Sequence, residues 1–187
     1  MDHYVDLTLL SNPEIAQPHL MGALFSKLHL ALVAQRSQSV GISFPAMRPD
    51  ATWLGDCIRL HGKQTELVNF MANPWLAGVR DHVSATGIMA IPAKIGFRVV
   101  SRVQAKSNPE RLRRRQMRRH GIDAEQALAR LPDAAAERLD LPFVHLRSQS
   151  TAQSFRLFIR HGPVVQEPSN GVFGAYGLSG SATVPWF

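Results

Sequence analysis

His29, Ser148 and Tyr176 are the side chains in this sequence whose types and settings suit acid–base or hydroxyl chemistry. His29 sits at the margin of an apolar stripe, where a ring is half buried and oriented yet reachable. Taken alone, it reads first as a satisfied histidine at the edge of a core. An imidazole titrates near pH 6.5 when unperturbed, which suits a general base. Ser148 lies in RSQST (147–151), just after a predicted strand, where a hydroxyl serves a turn or a ligand. Tyr176 lies in FGAYGLSG, among Gly171, Gly174, Gly177 and Gly180, residues that allow tight turns or close approach of backbone to a ligand. There is no Walker motif, HExxH or GxSxG, and no acidic cluster of the kind a two-metal nuclease needs. The single cysteine, Cys57, excludes an internal disulfide and a cysteine-based zinc site. Chemistry on a nucleic acid would then be metal-free and would need no cofactor. RNA permits this, because its 2′-hydroxyl is an internal nucleophile that needs only orientation and a base.

The charge pattern points to a polyanion. Of 187 residues, 21 are Lys or Arg and 14 Asp or Glu, a net charge of +7. Residues 1–94 are balanced, with 7 of each, so the whole excess lies in 95–187. From Arg98 to Arg119 there are nine basic residues against one acid, Glu110. The segment PERLRRRQMRRH (109–120) predicts a helix on which Arg111, Arg114, Arg115, Arg118 and Arg119 spread over about 140° of one face. Only Leu112 and Met117 are apolar, so this helix lacks the wide stripe of a core-packing helix. Guanidinium groups bind phosphate bidentately and stay charged at physiological pH. The plain alternative is a solvated basic surface. Arg102 and Gln104 project from one face of a predicted strand. Arg pairs with a guanine edge and Gln with an adenine edge.

These residues need positioning elements. Val5, Leu7 and Leu9 alternate with Tyr4, Asp6 and Thr8, the pattern of a half-buried strand over 3–10. Pro18 opens a helix to about Gln35, with Leu20, Met21, Leu24, Phe25, Leu28 and Leu32 along one side. Strands are expected at 40–44 and 57–61, helices at 65–71 and 75–82, and a short strand at 87–91. This β-α-β-β-α-β order is the split βαβ arrangement of ferredoxin-like domains. Residues 91–96 form the expected domain junction. A strand over 97–105 follows, then a helix start at Ser107–Glu110 with capping-box spacing. The helix runs to His120, and a second covers 124–131. Strands are expected at 143–147, 155–160, 172–178 and over the last residues. The N-terminus lacks the pattern of a secretory signal, and no apolar run reaches the roughly 20 residues of a membrane span. A cytoplasmic protein with no membrane partner is expected.

Five segments carry a resemblance: MDHYVDLTL, LFSKLHLALVAQ, SRVQAKSNPERLRRRQMRRH (101–120), LPFVHLRSQSTAQSFRLFIRHGP (141–163) and the tail YGLSGSATVPWF. Through them the chain resembles, essentially end to end, the CRISPR-associated endoribonucleases of type I-F systems, which process precursor CRISPR RNA. The resemblance implies an α+β fold. A ferredoxin-like domain over 1–94 would carry the histidine. A modified ferredoxin-like domain over 95–187 would carry the arginine-rich helix (108–120).

The implied substrate is the stem-loop of the CRISPR repeat, cut at the 3′ base of the stem to leave a 5′-hydroxyl and a 2′,3′-cyclic or 3′-phosphate. The implied partners are this hairpin RNA and the other subunits of the type I-F surveillance complex. Position by position, His29 matches the general base and Ser148 the serine that restrains the nucleophilic ribose. Tyr176 matches a tyrosine that orients the histidine. Arg102 and Gln104 match the pair that reads bases at the foot of the stem, and Phe155 an aromatic that stacks on the closing base pair. Arg115 and Arg119 match arginines of the helix lying along the stem, and Ser150 and Thr151 are expected along the same cleft. Two other readings stay open: a non-catalytic RNA-hairpin-binding subunit of a ribonucleoprotein, and a basic structural protein with sequence-tolerant binding.

Overall fold

A computed structural model of the chain describes residues 1–48, 52–104, 109–131, 139–148 and 151–187, with the backbone alone for 109–111. The fold is α+β, and the described residues form two antiparallel sheets and four α-helices. They build two compact units: Met1–Val103 with Leu141–Phe187, and Gln104–Asp140.

The larger unit begins with β1 (His3–Leu9), α1 (Gln17–Ala34), β2 (Gly41–Ser43), β3 (Cys57–Gly62), α2 (Gln64–Ala72) and β4 (Val83–Ala85). The strands lie in the order β2-β3-β1-β4, all antiparallel, with β5 (Met89–Ala90) also pairing to β1. This is the ferredoxin-like order. The apolar stripe predicted on the first helix is buried throughout: Leu20, Met21, Leu24, Phe25, Leu28 and Leu32 are each at most 5% exposed. Tyr4, expected on the open face of β1, is buried as well. The Arg59 guanidinium lies 4.6 Å from its ring and 4.1 Å from that of Phe187. Arg59 also donates to both Asp6 oxygens, at 2.7 and 2.8 Å, and to the Phe187 carbonyl at 3.1 Å. The C-terminal residue is thereby tied to the first sheet.

The second sheet comprises β6 (Gly96–Val103), β7 (Phe143–Arg147), β8 (Ser154–His161) and β9 (Thr183–Trp186), in the order β7-β8-β6-β9. With β6 as its first strand, this repeats the ordering of the first sheet. No helix lies between β8 and β9; a long loop replaces it. Val100, Val144, Leu146, Leu157 and Ile159 from this sheet join the α1 residues in one continuous core.

The smaller unit holds α3 (Pro109–His120) and α4 (Ala124–Arg130), which pack on each other. Asp123 caps α4, its carboxylate accepting the Gln126 N–H at 2.7 Å. The capping box expected at Ser107–Glu110 lies outside the described residues and side chains.

Two expected elements differ. Residues 75–79 form successive turns rather than a helix, with only a three-residue 3₁₀ turn, Arg80–His82, after them. Their hydrogen bonds step back two or three residues, as in Trp75 N–H to Asn73 O at 2.8 Å and Val79 N–H to Leu76 O at 3.0 Å, and Gly78 at φ +82° breaks helical geometry. Residues 172–178, expected as a strand, form a loop and a tight turn.

Candidate functional site

The turn at 174–177 builds one wall of a cleft in the larger unit. The Gly177 N–H donates to the Gly174 carbonyl at 2.8 Å and closes the turn. Gly177 sits at φ +67°, and a Cβ there would meet the Ile42 side chain at 2.7 Å. Its carbonyl accepts the Ile42 N–H at 2.9 Å, and the Ser179 N–H reaches the Val100 carbonyl at 3.0 Å. The turn is therefore pinned to β2 and β6. The glycines that broke the strand pattern are what allow it.

This turn grips His29. The Nδ1 of His29 lies 2.8 Å from the Ala175 carbonyl oxygen. A carbonyl only accepts, so Nδ1 carries the proton and donates it. In the neutral ring Nε2 then holds the lone pair, and no described residue is bonded to it. The Tyr176 ring stacks on the imidazole at 4.2 Å between centroids, and Phe25 stands 6.1 Å from Tyr176. His29 is half buried on the exposed margin of α1.

The opposite wall comes from the second sheet. Arg102 pairs in register with Ile159, and Phe155 with Leu146. Both therefore belong to the inward face of that sheet, near the end of β6 and the start of β8. Arg102 lies 5.5 Å from the Tyr176 ring centroid. Ser148 follows β7. Its N–H donates to the Gln153 carbonyl at 2.8 Å, and its Oγ accepts the Thr151 N–H at 3.3 Å. His29, Ser148, Tyr176, Arg102 and Phe155 all line one cleft of about 490 Å³. Ser26, Leu30, Leu146 and Arg147 complete it, and no described carboxylate lines it. Two guanidinium groups, an imidazole and three hydroxyls with no described acid among them make a cleft suited to a phosphate group. Among the described residues, no group of three His, Cys, Asp or Glu side chains is arranged to hold a metal ion, and no helix is long and apolar enough to cross a membrane.

The remaining expected residues lie elsewhere. Gln104 follows β6, is exposed and opens the smaller unit. On α3, Arg114, Arg115, Arg118 and Arg119 are exposed. Arg111 is on the same helix, with its side chain outside the description. Thr151 is exposed in the turn after β7 and does not line the cleft, and Ser150 lies outside the described residues.

A sequence model described as CRISPR-associated protein (Cas_Csy4) matches residues 4–187. The chain belongs to this family. Two proteins named CRISPR-associated endonuclease Cas6/Csy4 are similar along the whole length of both chains. One, from Pseudomonas aeruginosa (strain UCBPP-PA14), is 52% identical over 187 residues. The other, from Escherichia coli (strain UTI89 / UPEC), is 44% identical over 187 residues.

In this Cas_Csy4 family member, sequence reasoning missed four lining residues. Ser26 stands three residues before His29, on the same side of α1, and its Oγ donates to the Gly22 carbonyl at 2.7 Å. That spacing was available as a signal. Leu30, Leu146 and Arg147 carried none, because their place in the cleft follows from how the second sheet meets α1.

Proposed function

We propose that this chain is a metal-independent endoribonuclease that cuts the stem-loop of CRISPR repeat RNA at the 3′ base of the stem. The observation that carries this reading is the tethering of His29 through Nδ1, which leaves Nε2 as a base in a cationic cleft. Nε2 takes the proton of the ribose 2′-hydroxyl, and the 2′-oxygen attacks the adjacent phosphorus. The bond to the 5′-oxygen breaks, that oxygen is protonated, and a 2′,3′-cyclic phosphate and a 5′-hydroxyl result. Ser148 restrains the nucleophilic ribose, and Tyr176 holds the imidazole plane. Arg102 and Gln104 read bases at the foot of the stem, where a helix end is open to side chains that the A-form major groove excludes. Phe155 stacks on the closing base pair, and the α3 arginines follow the stem phosphates. Product and substrate share the stem, so the enzyme stays on its mature CRISPR RNA and enters the type I-F surveillance complex with it.

The test uses a labelled repeat stem-loop in excess EDTA, beside an RNA with a single 2′-deoxy substitution before the cut. Cleavage of the first and not the second is the expected result. Tight binding of both with cleavage of neither would replace this reading by a hairpin-binding subunit without catalysis.

A further inference from the structure

The turn after β7 holds a backbone conformation that its sequence does not favour. Among the described residues, Arg36 and Ala152 are the non-glycine residues at positive φ. Arg36 follows the cap of α1, where helices commonly end in that conformation. Ala152, at φ +55°, ends no helix. In the left-handed region a Cβ crowds the following carbonyl oxygen, so glycine enters it readily and alanine does not. An Asn or Asp side chain can support itself there with a local hydrogen bond, which a methyl group cannot make. Ala152 is also exposed, so no packing presses it into place. Its conformation needs a hold from elsewhere in the fold.

Arg147 supplies that hold. Its Nε donates to the Ala152 carbonyl at 3.1 Å. Arg147 is the last residue of β7 and pairs with Ser154, the first of β8, so the bond spans the connection between the two strands. The adjacent Ser148 closes the same connection. Its N–H donates to the Gln153 carbonyl at 2.8 Å, and its Oγ accepts the Thr151 N–H at 3.3 Å. Two successive residues thus grip three, Thr151 to Gln153, and both of the gripping residues line the cleft. Residues 141–166 contain no Asp or Glu, and no described carboxylate lines the cleft to draw the guanidinium off the turn. Both Nη groups of Arg147, which no described residue bonds, remain for an anion.

We propose that Arg147 is a positioning residue for cleavage: its bond to the Ala152 carbonyl keeps the turn closed and so fixes the Ser148 hydroxyl in the cleft. This rests on the role proposed above for Ser148, the restraint of the nucleophilic ribose. If the turn relaxes at Ala152, the Thr151 N–H leaves Oγ and the hydroxyl loses its direction. One side chain then carries two separable effects. Its charge adds to affinity for RNA, and its tether adds to the rate of the bound complex.

The experiment compares the parent protein, Arg147→Met, Ala152→Gly and the double variant, each as the full chain. Methionine keeps a long stem and removes the charge and the donors. Single-turnover cleavage of the repeat stem-loop is measured at saturating protein, and affinity on the same RNA with a 2′-deoxy cut site. Arg147→Met is expected to slow cleavage about tenfold in the parent background, from misplacement of the ribose. In the Ala152→Gly background the same change is expected to cost less than about threefold, because glycine stays at positive φ without a tether. Affinity is expected to fall by an equal factor in both backgrounds, since glycine restores no charge. Amide exchange at Ser148 reports the turn without substrate, and is expected to rise in Arg147→Met and to return in the double variant. An equal rate loss in both backgrounds, or a loss of affinity with the saturated rate unchanged, overturns the tether. Either result leaves the proposed activity standing, because the parent protein still cuts. A parent protein that binds the hairpin and does not cut it overturns the proposed activity, and this role with it.

Discussion

The imidazole of His29 lies flat against the phenol ring of Tyr176, with centroids 4.2 Å apart and planes 17° from parallel. The same turn supplies the Ala175 carbonyl to Nδ1. One four-residue segment therefore fixes both the plane and the tautomer of the ring. No described residue bonds the Tyr176 hydroxyl. The ring, not the hydroxyl, holds His29. Tyr176→Phe is expected to leave single-turnover cleavage within about threefold, while Tyr176→Ala, which gives up a stack of about 0.5–1.5 kcal/mol and its orienting effect, slows it by about tenfold or more. Equal losses in the two variants would move the role to the hydroxyl.

His29→Ala separates catalysis from binding. The variant removes the proposed base but leaves Arg102, Arg147 and the exposed α3 arginines, the cations to which the proposal assigns most of the electrostatic attraction to a phosphate backbone. Cleavage is expected to fall by at least about a hundredfold, the usual lower worth of a positioned general base, with hairpin affinity changed by less than about threefold. Filter binding and single-turnover kinetics on one preparation check both. A parallel loss of affinity would make His29 a binding residue.

Arg102 approaches the Tyr176 ring to 5.5 Å, so the residue proposed to read bases stands beside the residue proposed to orient His29. Replacing Arg102 and Gln104 by Ala is expected to relax the preference for the base pairs at the stem foot by about 1–3 kcal/mol per lost bidentate contact. Competition between the repeat hairpin and hairpins with altered closing pairs measures this. An unchanged preference removes the two residues from the reading role.

The elements that position this site were legible to different degrees. The stripe from Leu20 to Leu32 reads as a helix because its burial is one-sided, and it placed His29 at the helix margin. The order of the first sheet was legible in the strand and helix succession except at its fourth strand, which is β4 (Val83–Ala85), the segment expected at 87–91 supplying only the two-residue β5. The turn at 174–177 did not read correctly. Val172, Phe173 and Tyr176 carry strand propensity, and local pattern outweighed the glycines. What decides the turn is tertiary: Gly177 against Ile42, a contact no local window contains. Arg147 escaped notice for the same reason, since alternation along β7 sets it outward and only the end of the strand returns it to the cleft.

One buried and one half-buried histidine, His61 and His161, make the fold acid-sensitive. Burial pushes His61 down to about 3 and His161 down to about 4, with the nearby Arg59 and Arg98 guanidinium groups adding to each shift. In the unfolded chain both titrate near 6.5. The unfolded state therefore binds protons first as pH falls, and stability drops from about pH 6.5 towards the folded values. Above pH 7 this contribution is complete and level. Each imidazole steepens the loss by at most about 1.4 kcal/mol per pH unit. Urea midpoints between pH 7.5 and 5 are expected to fall, and His161→Phe, which keeps a ring between Phe44 and Trp186, to flatten the slope. A midpoint independent of pH would show that neither imidazole stays neutral in the fold.

Gly177→Ala tests whether the pinned turn acts on catalysis through His29. Alanine at φ +67° costs about 1–2 kcal/mol, and its Cβ would stand 2.7 Å from Ile42 Cγ2 unless the turn shifts. A shift of the turn carries the Ala175 carbonyl and the Tyr176 ring with it, while Arg102, Phe155 and Ser148 stay on the second sheet. The expected signature is a lower melting temperature, near-normal hairpin affinity and cleavage slowed by about tenfold or more, from loss of alignment between base and nucleophile. Imidazole NMR separates this from mere destabilisation. In the parent protein the tethered Nδ1 gives a protected N–H signal, which Gly177→Ala is expected to broaden or lose below its melting point. A variant that cleaves normally while its Nδ1–H exchanges freely would show that the turn supports the fold and not the reaction.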